Sequence, residues 1–298
     1  MVKQHLNDFL AHLRLERGLS VNTIEAYGRD LCQFREISHL TGVAQLNRKS
    51  IQRYLDWLCS ARFKPATVAR KLSCLRQFTE YLVQKRVVGD KPTAALNAPR
   101  IARYHPHYLS PEEIKSMIES IDLTARNGRR DRAALELMYG CGLRIAEVGS
   151  LRYSDIEFEA GFIRVTGKGD KQRLVPLGAY AAEALESLKE SRDSSGSSSD
   201  YVFMGPRDHP LSRVSLWKIV KKAALAAALG KPVTPHTLRH SFATHLLAGG
   251  ADLRVVQEML GHADISTTQI YTTIDQDYIV AEHRKYHPRE LARTRQSE

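Results

Sequence analysis

Residues 91–108 read KPTAALNAPRIARYHPHY. Pro92, Pro99 and Pro106, with no sustained apolar period between them, mark this stretch as an extended linker. It divides the 298-residue chain into domains of 1–90 and 109–298, in keeping with a soft prior of roughly 100 to 200 residues per domain, and each is long enough to bury a core. Just beyond it, Ser110-Pro111-Glu112-Glu113 supplies an N-cap, a proline at the first helical position and a glutamate at the third, so the second domain begins on a helix.

Upstream of the linker, apolar residues recur at helical spacing. Leu6, Phe9, Leu10 and Leu13 share one face, Ile24, Tyr27, Leu31 and Phe34 a second, Ile51, Tyr54, Leu55 and Leu58 a third, and Val68, Leu72, Leu75, Phe78 and Leu82 a fourth. This predicts a four-helix domain, with Asn22 and Glu25 placed as a capping box. The fourth helix turns Arg70, Lys71, Arg76 and Gln77 away from its apolar stripe, in reach of a phosphate backbone or groove. Residues 1–100 hold 17 Lys and Arg against 8 Asp and Glu, whereas residues 101–298 hold 27 against 25. A basic field concentrated in one third of the chain attracts a polyanion, which makes nucleic acid the leading partner; a solvated helical surface is the alternative.

Downstream, the one strand-rich stretch is Gly161 to Leu177, where FIRVTG and KQRLVPL flank the turn Lys168-Gly169-Asp170 as in a hairpin. The polar tract Ser191 to Asp200 reads as a mobile loop, and helical patterns then return up to the end. The expected fold is mainly α: an N-terminal four-helix domain, then a mostly helical domain with a small antiparallel β-sheet.

Composition removes several classes. With 43% hydrophobic and 26% charged residues the chain is globular rather than disordered. Cys32, Cys59, Cys74 and Cys141 include no CxxC pair, which argues against a zinc ribbon, a redox dithiol or a disulfide scaffold. The N-terminus has no apolar core of a leader, and the Ala/Leu run 223–229 is far short of the ~20 residues a spanning helix needs. A reducing cytoplasm, with no membrane insertion, is expected. Residues 161–168 are not a phosphate loop, because the Gly161 to Gly167 spacing is one residue too long and Gly169 stands where Ser or Thr must bind magnesium.

Four short clusters in the second domain combine basic groups, imidazoles and a phenol. They are Cys141-Gly142-Leu143-Arg144 with Glu147, Gly167-Lys168-Gly169, His236-Thr237-Leu238-Arg239-His240, and Leu260-Gly261-His262 followed by Tyr271. Two arginines suit the non-bridging oxygens of a phosphodiester, because the planar fork bonds them bidentately and stays charged. A lysine on a tight turn can protonate a leaving oxygen, histidines can relay protons, and a tyrosine can form a covalent phosphoester. Each piece alone has an ordinary structural explanation. His236 and His240, four apart on a helix, could ligate a metal, but no HExxH glutamate lies between them and no carboxylate cluster sits close in sequence.

In this order, the clusters resemble the tyrosine recombinase (phage-integrase-like) family, whose pattern is Arg, Lys, His-x-x-Arg, His/Trp and Tyr. The resemblance runs from Asn22–Tyr27 to His287-Pro288-Arg289, and Gly249–His262 with Ser266–Tyr271 points to the Xer branch of the family. It implies that Arg144 and Arg239 hold the scissile phosphate and stabilise its pentacoordinate transition state. His236 would assist proton transfer or hold the phosphate, and His262 would hydrogen-bond a non-bridging oxygen. Lys168 would protonate the departing 5′-oxygen, and Tyr271 would attack to give a 3′-phosphotyrosyl link. Glu147 matches a supporting acidic position, although its spacing from Arg144 equally fits an i,i+3 surface pair.

Neither a metal nor a nucleotide cofactor is implied. The implied partners are double-stranded DNA at a short inverted-repeat site, further protomers in a homo-oligomer or a heterotetramer with a second, XerC-like recombinase, and an FtsK-like DNA translocase. The resemblance also implies that the two domains clamp the duplex, and that a terminal helix, Tyr278 to Leu291, docks into the neighbouring protomer. Two positions depart from the pattern: Gly28 stands where a basic residue is expected, and Thr273 where relatives commonly carry His. The expected activity is site-specific strand exchange that resolves chromosome dimers. A mobile-element integrase or invertase would use the same chemistry. A catalytically silent DNA-binding protein is disfavoured by the presence of all six catalytic positions.

Overall fold

The computed structural model describes residues 2–17, 19–89, 93, 107–167, 172–194, 199–205, 209–261 and 273–294. They fall into two compact units, Met1–His105 and Pro106–Glu298.

The first unit is built on α1 (Val2–Leu15), α2 (Val21–Ile37), α3 (Arg48–Ser60) and α4 (Pro65–Gln84). Their apolar stripes meet in one core in which Leu6, Phe9, Leu13, Leu31, Phe34, Ile51, Tyr54, Leu58, Leu72, Leu75, Phe78 and Leu82 are buried. Edge-on ring pairs tie the helices together, Phe9 with Phe78 at 5.3 Å and Phe34 with Tyr54 at 5.0 Å between centroids. Asn47 caps α3 by accepting the backbone N–H groups of Lys49 and Ser50, and Pro65 opens α4, where a missing N–H costs nothing.

The start of α2 differs from the expected Asn22–Glu25 box. Ser20 holds the extended backbone that a cap requires, and its hydroxyl accepts from the Thr23 N–H at 3.3 Å, so Asn22 lies inside the helix. Gly28 lies beside α1, where a Cβ would meet Leu10 at 3.4 Å, an ordinary contact.

The second unit comprises α5 (Pro111–Glu119), α6 (Gly128–Gly140), α7 (Ile145–Ser150), β1 (Ile156–Glu157), β2 (Phe162–Thr166), β3 (Gln172–Pro176), α8 (Ala179–Asp193), α9 (Arg213–Ala226), α10 (Pro235–Gly249), α11 (Leu253–Leu260), α12 (Thr273–Tyr286) and α13 (Pro288–Thr294). Ser110 and Glu113 form the expected box at α5, with hydrogen bonds of 3.3 and 2.7 Å. Helix α6 is buried continuously from Ala133 to Gly140, as befits a central helix. The two strands pair as read, β2 antiparallel to β3 with Phe162 opposite Pro176 and Thr166 opposite Gln172, while the expected turn Lys168-Gly169-Asp170 lies outside the described residues. A two-residue β1 pairs with the outer edge of β2, too short to leave a periodic signal.

One expectation changes here. The polar tract is not a loop throughout, because α8 continues to Asp193, and Arg192 donates to the carbonyls of Ser199 and Val202 at 2.9 and 3.0 Å, anchoring its far end. The segment Tyr278 to Leu291 packs on the second unit through His283, His287 and Arg289, which are buried, and Arg289 pairs with Glu136 of α6; Tyr278 and Leu291 stay exposed. A buried charge needs a partner, and α6 supplies it within the same chain. Among the described residues, no helix is long and apolar enough to cross a membrane.

Candidate active site

The site is assembled where two left-handed glycine turns meet. Gly142, at φ +60°, turns the chain from α6 into α7; a Cβ there would lie 2.5 Å from Phe242, so only glycine fits. Arg144 then caps α7, and Glu147, one turn on, folds back so that its Oε2 accepts the Arg144 backbone N–H at 2.7 Å and its Oε1 accepts from the guanidinium at 2.9 Å. Helix α11 ends at Gly261, again left-handed, with its last carbonyls exposed for capping. Arg144 donates to the Gly261 carbonyl at 3.1 Å, and Arg239 of α10 donates to those of Gly142, at 2.6 Å, and Leu260.

Sequence reading missed Arg173. It sits at an inward position of β3, 7% exposed, and donates to both carboxylate oxygens of Glu147 at 2.9 Å and to the Met259 carbonyl at 2.8 Å. An arginine in register with Val175 on the buried face of a strand was the available signal, since a buried charge demands a partner. Glu147 thus serves as the hub of three guanidiniums, with Arg239 3.9 Å from its second oxygen. It is a buried ion-pair centre and not an i,i+3 surface pair.

The electrostatics follow from this count. Burial opposes ionisation of Glu147, but the hydrogen bonds and charge of Arg173, followed by those of Arg144, outweigh it and hold the carboxyl down at about 2. Arg239 is affected the opposite way: burial, then the neighbouring charge of Arg144, lowers it to about 9, so it remains charged at neutral pH under an unfavourable field. Three cations around one carboxylate leave a surplus of positive charge, and an incoming anion relieves it. Arg144, 42% exposed, is the part of the cluster open to such an anion.

His236 lies at the exposed start of α10, one turn before Arg239, and His240 on the next turn is shifted down by burial and then by His236. Lys168, His262 and Tyr271 lie outside the described residues. Among the described residues, no three His, Cys, Asp or Glu side chains are grouped to hold a metal ion.

The four residues assigned to DNA contact on α4 do not share one environment. Lys71 is buried, its ammonium 2.8 Å from Asp30 and 2.6 Å from Gln33, so it braces α4 against α2 and does not face solvent. Arg70 is exposed beside it and also pairs with Asp30. Gln77 donates to the Tyr27 hydroxyl at 3.1 Å, and Arg76 is half-buried. A second basic face, which sequence reading passed over, lies on α9: Arg213, Lys218 and Lys222 are exposed beside Trp217, over whose ring Lys221 sits at 5.2 Å.

A mainly helical domain with a surplus of positive charge around Glu147 is of the class that can bind a phosphate ester, and comparison with known proteins narrows that class. Residues 107–277 match the phage integrase family, and residues 6–86 match the phage integrase N-terminal SAM-like domain. The chain is 39% identical over 290 residues to tyrosine recombinase XerD of Staphylococcus aureus, covering 95% of this chain and 98% of the relative. It is 40% identical over 295 residues to tyrosine recombinase XerD of Halalkalibacterium halodurans, covering 97% and 99%. Among solved structures, XerA recombinase is similar at 28% identity and a TM-score of 0.50, covering 95% of this chain and 99% of that one. XerH bound to its difH substrate shares the fold at 24% identity and a TM-score of 0.67, covering 94% and 80%. The chain belongs to the phage integrase family, the site-specific tyrosine recombinases.

Proposed function

We propose that this recombinase acts in the Xer manner, resolving chromosome dimers at a short inverted-repeat site in the cytoplasm, with residues 1–90 and 109–298, joined by 91–108, each contacting the duplex. The observation that supports the reading is the Glu147-centred cluster, which brings the guanidiniums of Arg144 and Arg239 to one carboxylate, at 2.9 and 3.9 Å, with a surplus of positive charge. In the proposed step, the Tyr271 hydroxyl oxygen attacks phosphorus as its proton passes to His236, and the P–O5′ bond breaks as the 5′-oxygen takes a proton from Lys168. Arg144 and Arg239 carry the negative charge that develops on the non-bridging oxygens, and His236 and His262 orient the phosphate. A 5′-hydroxyl from the partner strand reverses the step, so one phosphoester replaces another and no energy source is consumed.

The exposed basic face of α9 and Arg70 of α4 supply contacts to the DNA backbone. The working assembly is an oligomer, either of this chain or with a XerC-like recombinase, and an FtsK-like translocase activates it. Covalent trapping on a nicked suicide duplex in the presence of EDTA tests the chemistry. A protein–DNA adduct is expected with wild type and absent with Tyr271→Phe. An adduct from Tyr271→Phe would remove the nucleophile, and no adduct from wild type, even with a second recombinase added, would overturn the reading.

A further inference from the structure

The chemistry assigned to Arg144 and Arg239 leaves Arg173 without a role, yet its guanidinium is placed to join three parts of the site. Its two Nη groups grip the Glu147 carboxylate at 2.9 Å each, and Glu147 in turn orients both the backbone and the side chain of Arg144. Its Nε donates to the Met259 carbonyl at 2.8 Å, in the same strand of backbone whose next two carbonyls receive Arg239 and Arg144. Its own strand, β3, begins at Gln172, four residues past Lys168 in sequence, and Gly261 immediately precedes His262. The aliphatic part of Arg173 fills the space at Gly261, where a Cβ would lie 2.9 Å from its Cδ.

We propose that Arg173 is a positioning residue for strand cleavage, a clamp that fixes Glu147, and through it Arg144, against the backbone leading to His262. This rests on the recombinase reading above. The guanidinium is suited to it because its three donor directions are fixed in one plane, so the carboxylate and the carbonyl cannot shift independently. Lysine keeps the charge but offers no rigid fork.

The groups that face Glu147 are Arg144 of α7, Arg173 of β3 and Arg239 of α10. Removing Arg173 takes away the largest influence that keeps this buried carboxyl ionised, so its protonation becomes easier. Once protonated, the carboxyl no longer holds the Arg144 guanidinium as a charged pair.

The experiment is single-turnover cleavage of a suicide duplex between pH 5 and 8, with site affinity measured alongside. Arg173→Met should bind within about 3-fold of wild type and cleave about 10- to 100-fold more slowly at pH 7, the weight of one charge-assisted contact. It should also lose rate on acidification where wild type does not. Arg173→Lys should cleave slowly with a wild-type pH profile, because charge is kept and geometry lost. In the Glu147→Gln background, Arg173→Met should add no acid limb, since the titrating group is gone. The inference is overturned if Arg173→Met cleaves at the wild-type rate, if the acid limb persists in the double variant, or if the loss of cleavage only follows a loss of binding. Absence of an adduct from wild type in the same assay would instead count against the recombinase reading.

Discussion

His283 of α12 lies fully enclosed between α6 and α10, its Nε2 2.8 Å from the Gly140 carbonyl and its ring stacked on His287 at 4.7 Å. His287 in turn lies 5.4 Å from Phe242 and 4.9 Å from Tyr139, whose hydroxyl meets His245 at 2.9 Å. Burial lowers His283 from 6.5 to about 4, and burial, followed by His283 and His245, pushes His287 well below its ordinary value too. Arg284, Arg289, Glu136, Glu290 and, beside His245, Glu112 are charged groups around the cluster. A histidine that must stay neutral in the folded state binds its proton more readily when unfolded, so its contribution is present above pH 6.5 and is lost as pH falls toward 4. Between pH 7 and pH 5, a folded value of about 4 against 6.5 unfolded costs about 2 kcal/mol for His283 alone, with His287 adding in the same direction.

Urea unfolding read by fluorescence tests this. The chain has two tryptophans, so a Trp57→Phe background leaves Trp217 to report on the second unit. A loss of about 2 kcal/mol moves the urea midpoint down by roughly 1 M at the slope usual for a domain of this size. His283→Gln, which keeps a donor toward Gly140 but cannot titrate, should start from lower stability and fall by about 2 kcal/mol less over the same range. Equal losses in the two proteins would refute the reasoning, because they would mean that His283 is not held neutral by the fold.

Glu147→Ala should lower stability by about 3–5 kcal/mol in urea unfolding, because it strips the buried guanidiniums of their carboxylate. In wild type the same group, depressed from 4.5 to about 2, contributes stability above pH 4.5 that is lost as pH falls toward 2. Gly142→Ala should cost on the order of 1–3 kcal/mol and slow cleavage, since it combines a left-handed backbone with a clash against Phe242 and displaces the carbonyl that holds Arg239; an unchanged cleavage rate would show that this carbonyl does not set Arg239. On α4, Lys71→Met should reduce stability and leave the salt dependence of DNA binding unchanged, whereas Arg70→Ala should make the slope shallower by up to about one; a filter-binding series across salt concentrations separates the two.

Much of the architecture was legible because its causes are local. The four apolar stripes of the first unit, the Ser110–Glu113 box and the β2–β3 pairing all depend on neighbours within a few residues, and each formed where periodicity and capping placed it. The miss at α2 was local too: a serine two residues upstream of Asn22 competed for the same orphan N–H groups and had the backbone for it. Side-chain environment was less legible, since spacing puts Lys71 off the apolar stripe of α4 but does not reveal that Asp30, 41 residues away, draws it inward.

The sequence by itself determined the elements, the order of the chemical groups along the chain and, through their joint pattern, the family. Only the tertiary structure decided which charge meets which. Glu147 finds Arg173 across 26 residues, Arg239 finds Gly142 across 97, and Arg289 finds Glu136 across 153. Periodicity carries no information over such separations. These pairs are set by how the helices and the sheet close on a common core, where a buried charge must end beside its complement because the low dielectric makes any other arrangement too costly.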